Sequence, residues 1–174
     1  MGTKTIIISA VLAGIVAVAA MFLVGGSPIK GHASADGIQW RNYSEGSALS
    51  RNANKKMLVD VYTDWCTWCK RMDKETYSSA EVASYISEHF IPVRLNAESK
   101  EVRQIDTMQA TDAELATAFG VQEYPTTIFF TENGAPITSI PGYIPTDDFK
   151  TVLRFIAEDA YTHMSFDQFK QSAQ

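Results

Sequence analysis

A near-continuous apolar signal in the body of the chain is Met57-Leu58-Val59-Asp60-Val61-Tyr62-Thr63. Its continuous, β-branched character, broken by one carboxylate, predicts a strand buried on both faces. Phe90 to Asn96 predicts a second strand. Between them the pattern is helical from Cys66 to about Lys74, and again from Ser79 to Glu88, with Ser78 or Ser79 as N-cap. Upstream, Ser44 to Asn54 predicts a weak helix with alanine and leucine on one side. Glu98 to Ala110 is polar and predicts a long connection. Thr111-Asp112-Ala113-Glu114 is a capping box that opens a helix, and Gly120 suits its C-terminal end. Thr126 to Thr131 is a β-rich run, Asn133-Gly134 a hairpin turn and Ile137 to Ile140 the return strand. Thr146 or Asp147 starts a long helix to about Tyr161, and Ser165-Phe166-Asp167-Gln168 caps a short terminal one. Early strands alternate with helices and imply parallel pairing, while the last two form an antiparallel hairpin. The predicted fold is α/β, a mixed β-sheet flanked by helices on both faces.

The N-terminal pattern is different. Lys4 precedes an uncharged apolar run of 19 residues, Ile6 to Val24, which Gly25-Gly26-Ser27-Pro28 ends. As a helix it would span about 28 Å, close to a hydrocarbon core of about 30 Å. Ala33-Ser34-Ala35 fits the small-residue cleavage rule and would leave a mature chain from Asp36. Against cleavage, the run exceeds the usual signal core of about 7–15 residues, so an uncleaved anchor is the alternative. Residues 1–35 are therefore expected to be a signal peptide or membrane anchor, and residues 36–174 one exported domain. Any membrane contact is through the N-terminal segment, if it is retained.

Charge sharpens this division. Lys4 and Lys30 are the only charges in residues 1–35, leaving 13 basic and 20 acidic side chains, net −7, from Asp36 onward. No basic stripe is present, which argues against nucleic acid as a partner. The 174 residues are 45% hydrophobic and 20% charged, a globular balance. Two cysteines exclude a disulfide-dense scaffold.

Those two cysteines carry the chemistry. In Trp65-Cys66-Thr67-Trp68-Cys69-Lys70 they lie three residues apart, directly after the buried strand. If a helix starts at Cys66, both sit on one face of its first turn, with Cα atoms about 5–6 Å apart, within disulfide range. The helix N-terminus stabilises a thiolate at Cys66 and draws its pKa from about 8.5 toward the 3.5–7.5 range of such motifs. Cys69, one turn deeper, is expected to be shielded. Cys66 then attacks a partner disulfide and Cys69 resolves the mixed disulfide. A metal site has little support: there is no second cysteine pair, and His32, His89 and His163 lack metal-like spacing. Haem attachment needs histidine where Lys70 stands. A purely structural disulfide would close too small a loop to stabilise much.

With these residues the body resembles the thioredoxin superfamily from about Met57 to Ala157. Leu58 to Cys66 looks like the family's active-site strand and entry. Phe119-Gly120-Val121-Gln122-Glu123-Tyr124-Pro125-Thr126 looks like its cis-proline loop, and Asn133-Gly134 and Gly142 fall where the family has its hairpin and a glycine. Thr67-Trp68 and the Glu98–Ala110 segment depart from small cytoplasmic thioredoxins. Thr63-Asp64-Trp65-Cys66, Lys70 and Lys74-Glu75-Thr76-Tyr77-Ser78 look more like the C-terminal domain of DsbD and exported SoxW-like thioredoxins.

The resemblance implies a thioredoxin fold and an exported thiol–disulfide oxidoreductase that reduces protein disulfides. It implies no bound cofactor, a monomer, and a membrane electron donor of DsbD or CcdA type. Asp60 matches the family's buried carboxylate, whose raised pKa suits proton exchange with Cys69. Pro125, with Tyr124 before it, matches the cis-proline beside the disulfide that leaves backbone free to pair with an extended substrate. Trp65 and Trp68 flank the site as an apolar docking surface, although either residue type also suits a core. Lys70 and Asp64 read as solvated surface residues, and Tyr143, Phe149, Phe155 and Tyr161 as core. The alternatives are a disulfide oxidase or isomerase, and a redox-inactive thioredoxin-fold binding or chaperone module.

Overall fold

Strand β3 (Lys56–Tyr62) organises the structure, a computed structural model that describes residues 37–172 and the backbone of His32–Ala33. The apolar run Ile6–Val24 and residues Ser34 and Ala35 of the cleavage motif lie outside the described residues. No described helix is long and apolar enough to cross a membrane. A two-residue strand, β1 (His32–Ala33), pairs antiparallel with β2 (Gln39–Trp40). Helix α1 (Tyr43–Ala53) opens on Asn42, whose side chain accepts the Glu45 N–H at 2.9 Å, and closes on Asn54 in the left-handed conformation.

Strand β3 pairs in parallel with β4 (Phe90–Asn96) and antiparallel with β7 (Thr126–Phe130). Strand β8 (Pro136–Pro141) adds antiparallel to β7, giving the order β4-β3-β7-β8. Alternation along these strands builds two cores. Met57, Val59, Val61, Val93, Leu95, Ile128 and Phe130 face one side, where they meet Tyr43 of α1 and Leu115 and Ala116 of α4 (Asp112–Ala118). Leu58, Phe90 and Phe129 face the other. There they pack with Met72 of α2 (Thr67–Met72), Tyr77, α3 (Ala80–His89) and α5 (Thr146–Ala157). The mixed sheet with helices on both faces is thus as expected, and every residue of β7 is buried.

Three boundaries differ from expectation. The polar Glu98–Ala110 segment is not an irregular connection but contains a hairpin of β5 (Val102–Ile105) and β6 (Met108–Thr111). Its turn lacks the usual Asn-Gly signal, because Asp106 itself takes the left-handed conformation (φ 51°). The helix after the cysteine motif starts at Thr67, with Cys66 as its cap, and continues beyond Met72 as a π-helical turn, Asp73–Tyr77. The last long helix stops at Ala157, not Tyr161. Asp159 turns left-handed (φ 56°) and bonds to Lys56, a short 3₁₀ turn Ala160–Thr162 follows, and α6 (Phe166–Ser172) ends the description.

Gly46 sets the approach of α1 to the sheet. A Cβ there would lie 2.1 Å from Val93 Cγ2, inside any permitted contact. Gly46→Ala is therefore expected to lower stability by about 1–3 kcal/mol through overpacking. The measurement is the urea midpoint; an unchanged midpoint would show that α1 shifts freely on β4.

Candidate active site

The turn from β3 into α2 places the two cysteines. Cys66 N–H donates to Thr63 O (3.2 Å), and Cys66 O begins the helix by accepting Lys70 N–H (3.2 Å). The cap is sulfur rather than oxygen: Cys66 Sγ accepts the Cys69 N–H at 3.0 Å. The cysteines form a disulfide, with Cα atoms 5.3 Å apart. Their burial departs from the expected contrast. Cys66 is 3% exposed and Cys69 4%, because the capping position turns the Cys66 side chain back over the first helical turn. The sulfur at Cys66 thus faces a backbone N–H at the positive end of α2, an arrangement that favours a thiolate once the bond is reduced.

Below the helix lies a row of polar side chains. Asp60 pairs in register with Arg94 on β4 and with Thr127 on β7, so all three share the face that carries Met72 and Tyr77. Asp60 is 1% exposed. Its Oδ2 accepts from Arg94 Nε at 3.0 Å, and Arg94 Nη2 donates to Asp73 Oδ1 in the π-helical turn. The guanidinium also lies over the rings of Trp40 (4.9 Å) and Tyr62 (5.1 Å). Asp60 Oδ1 and the hydroxyls of Tyr77 and Thr127 are buried beside one another. Burial pushes the Asp60 carboxyl above its ordinary value; the Arg94 charge opposes this and Asp73 adds to it.

Two aromatic pairs stand at the motif. Trp65 (64% exposed) meets Tyr124 edge-on at 6.0 Å, and its Nε1–H donates to Glu98 Oε1 at 3.0 Å. Trp68 (52% exposed) packs against Tyr143 at 5.8 Å. Both indoles are therefore on the surface rather than in the core. The Tyr124–Pro125 bond is cis, Pro125 is buried, and its carbonyl accepts the Gly142 N–H at 2.7 Å. The tryptophans that neighbour the cysteines in sequence thus bring Tyr124, next to Pro125, and Tyr143, next to Gly142, to the motif. Lys70 and Asp64 are exposed as expected. Among the described residues no histidine, cysteine and carboxylate cluster has a metal-binding arrangement.

Residues 46–157 match the family described as a thioredoxin-like domain. The chain belongs to that family. Thioredoxin-like relatives include the thiol:disulfide interchange protein DsbD of Haemophilus ducreyi, 30% identical over 105 residues, 58% of this chain and 16% of that protein. DsbD of Vibrio vulnificus is 30% identical over 140 residues, 72% of this chain and 22% of that protein. The chain thus spans less than a quarter of these relatives' length. Among solved structures, a thioredoxin-fold protein from Helicobacter pylori is similar with a TM-score of 0.61 and 27% identity, covering 69% of this chain and 80% of that one.

Several neighbours of the thioredoxin-like site were not foreseen. Arg94 interrupts an otherwise apolar strand; that lone charge was a signal, but its partner followed only from register. Glu98 belongs to the polar segment whose pattern predicts only a connection. Tyr143, expected in the core, is only partly buried and lies beside Trp68, since Gly142 brings the end of β8 onto Pro125. Phe149 is core, and Phe155 and Tyr161 pack against it partly buried.

Folded Asp60 holds its proton to higher pH than unfolded Asp60, so between the two pKa values the folded state binds more protons and stability falls as pH rises. The urea midpoint of the oxidised protein, relative to that of Asp60→Asn, is expected to decline as pH rises from about 4. A relative gain over that interval would mean that the attraction of Arg94 outweighs burial.

Proposed function

We propose that this chain is an exported thiol–disulfide oxidoreductase that reduces protein disulfides. The observation that carries the proposal is the Cys66–Cys69 disulfide at the N-terminus of α2, with Cys66 Sγ facing the Cys69 N–H. The naming of the DsbD relatives as thiol:disulfide interchange proteins supports the same chemistry.

In the reduced chain the Cys66 thiolate attacks one sulfur of a partner disulfide. A Cys66–partner bond forms, the partner's S–S bond breaks, and the partner's other sulfur leaves as a thiolate and takes a proton. Cys69 then attacks Cys66, restoring the intramolecular disulfide and releasing the second partner thiol. Two electrons pass from chain to partner; the protons taken up by the two partner thiolates come from solvent, which receives the proton Cys66 loses on ionising and the Cys69 proton by way of Asp60. Asp60 accepts the Cys69 proton as this thiol becomes a nucleophile, a role its raised pKa suits. Trp65, Trp68, Tyr124 and the backbone around Pro125 hold the partner segment. A membrane dithiol of DsbD or CcdA type returns the electrons. Export rests on Lys4 and the apolar run Ile6–Val24, as an anchor or as a signal removed after Ala35. The N-terminal mass of the chain from a periplasmic or membrane fraction separates these two; a full-length cytosolic chain would remove export from the proposal.

The direction follows from electrostatics. An oxidase depends on a strongly stabilised reduced form. Here Thr67 and Trp68 contribute no charge between the cysteines, and buried Asp60 disfavours a second negative charge nearby. The reduction potential is expected nearer about −270 mV than about −120 mV. Equilibration with glutathione measures it, and a value above roughly −160 mV would favour the oxidase.

Cys69→Ser is expected to accumulate mixed disulfides with partners and Cys66→Ser far fewer, as counted on non-reducing gels. Equal trapping by both would remove the division of labour. Insulin reduction should be lost in both variants, and wild-type protein without this activity would favour the binding-module alternative.

A further inference from the structure

The two rims of the site carry opposite charge. On the Trp68 side, the Arg71 guanidinium lies 5.2 Å from the Trp68 ring centre and 4.8 Å from that of Tyr143. Glu75 fixes it there: Glu75 Oε2 accepts from Arg71 Nε at 2.9 Å and from the Tyr143 hydroxyl at 2.6 Å. These two donors hold the Glu75 carboxyl below the usual carboxylate range. Only Nε of Arg71 is engaged in a hydrogen bond among the described residues, and the side chain is 48% exposed. Its planar fork is therefore presented to solvent between two rings, with Lys70 exposed beside it. With the Glu75 carboxylate counted, Lys70 and Arg71 leave this rim one positive charge, against the net −7 of the chain from Asp36 onward.

On the Trp65 side the charges are acidic. Glu98 holds the indole of Trp65 through Oε1, and Asp64 precedes that tryptophan. Both carboxylates are exposed, and neither is in a salt bridge among the described residues. Pro125 lies between the rims, since Tyr124 precedes it and Gly142, the neighbour of Tyr143, bonds to its carbonyl. A segment crossing Pro125 runs from one aromatic pair toward the other.

We infer that this surface selects an extended partner segment with an acidic residue on the Trp68–Arg71 side of its cysteine and a basic residue on the Trp65–Glu98 side. The inference rests on the proposed reductase function and deepens it: the aromatic rings supply contact area, and the charges set which way the segment lies. A carboxylate on the Arg71 side meets the open edge of a stacked guanidinium, a geometry suited to paired hydrogen bonds. A like charge on either rim meets repulsion instead.

Two disulfide-bonded peptides of equal net charge separate this from general attraction to the chain. They are identical except that the glutamate and lysine on either side of the reactive cysteine are exchanged. With the reduced full-length chain, kcat/KM is expected to differ about fivefold between them, the scale of one or two exposed ion pairs, and less at high salt. The double variant Arg71→Glu, Glu98→Lys is expected to abolish or reverse the preference. Equal rates for the two peptides with wild-type protein would overturn the inference and leave the reductase standing. So would a preference that persists unchanged in the double variant, since shape alone would then explain it. A chain that reduces neither peptide would overturn the reductase itself, and this inference with it.

Discussion

A carboxylate in the middle of a strand buried on both faces is the constraint on which much of this structure turns. An isolated ionised carboxylate cannot be held in such a place at tolerable cost. Asp60 is reconciled with its surroundings by Arg94, one strand away in exact register, and by a pKa raised through burial. Arg94 in turn reaches Asp73 in the π-helical turn and lies over Trp40 and Tyr62. A single guanidinium therefore ties β3, β4, β2 and the end of the α2 segment together beneath the cysteine motif. Removing it would leave the buried Asp60 carboxylate without this cation, which is the costly way to break a buried pair.

Above this row the reactive pair sits between opposing influences. The α2 N-terminus and the Cys69 N–H favour negative charge on Cys66. Asp60 below disfavours more negative charge nearby while it is ionised, and relieves that penalty by holding a proton. On the proposed function, these influences favour the first thiolate and give the Cys69 proton a destination.

The parts that distinguish this chain from a minimal thioredoxin-like domain lie at the rims. Thr67-Trp68 puts an indole on the surface next to Tyr143, and the polar segment from Glu98 contributes the carboxylate that orients Trp65. That segment then forms the β5–β6 hairpin, anchored on α1 where Ser44 Oγ donates to Gln104 O and Arg51 pairs with Asp106. The chemistry is thus set by the shared framework and the surroundings of the disulfide by local additions, as expected when function is carried by a site placed on a common fold.

The local features were legible in the sequence because each rests on short-range physics. The apolar run around Leu58 and Val59, the Thr111–Glu114 capping box, the Asn133-Gly134 turn and the spacing of Cys66 and Cys69 need only neighbouring residues to state their meaning. The role of Asp60 came from the resemblance to the thioredoxin superfamily, which has a buried carboxylate at the matching position. What completed the site was not legible, because it depends on register and packing between distant segments. Arg94 faces Asp60 only because β3 and β4 pair in parallel at that offset. Tyr143 reaches Trp68 only because Gly142 closes on Pro125, and Glu98 reaches Trp65 from 33 residues away. The burial of Cys66 had the same origin: sequence placed it at a helix start, but only the folded turn determined that its sulfur would cap the helix instead of facing solvent.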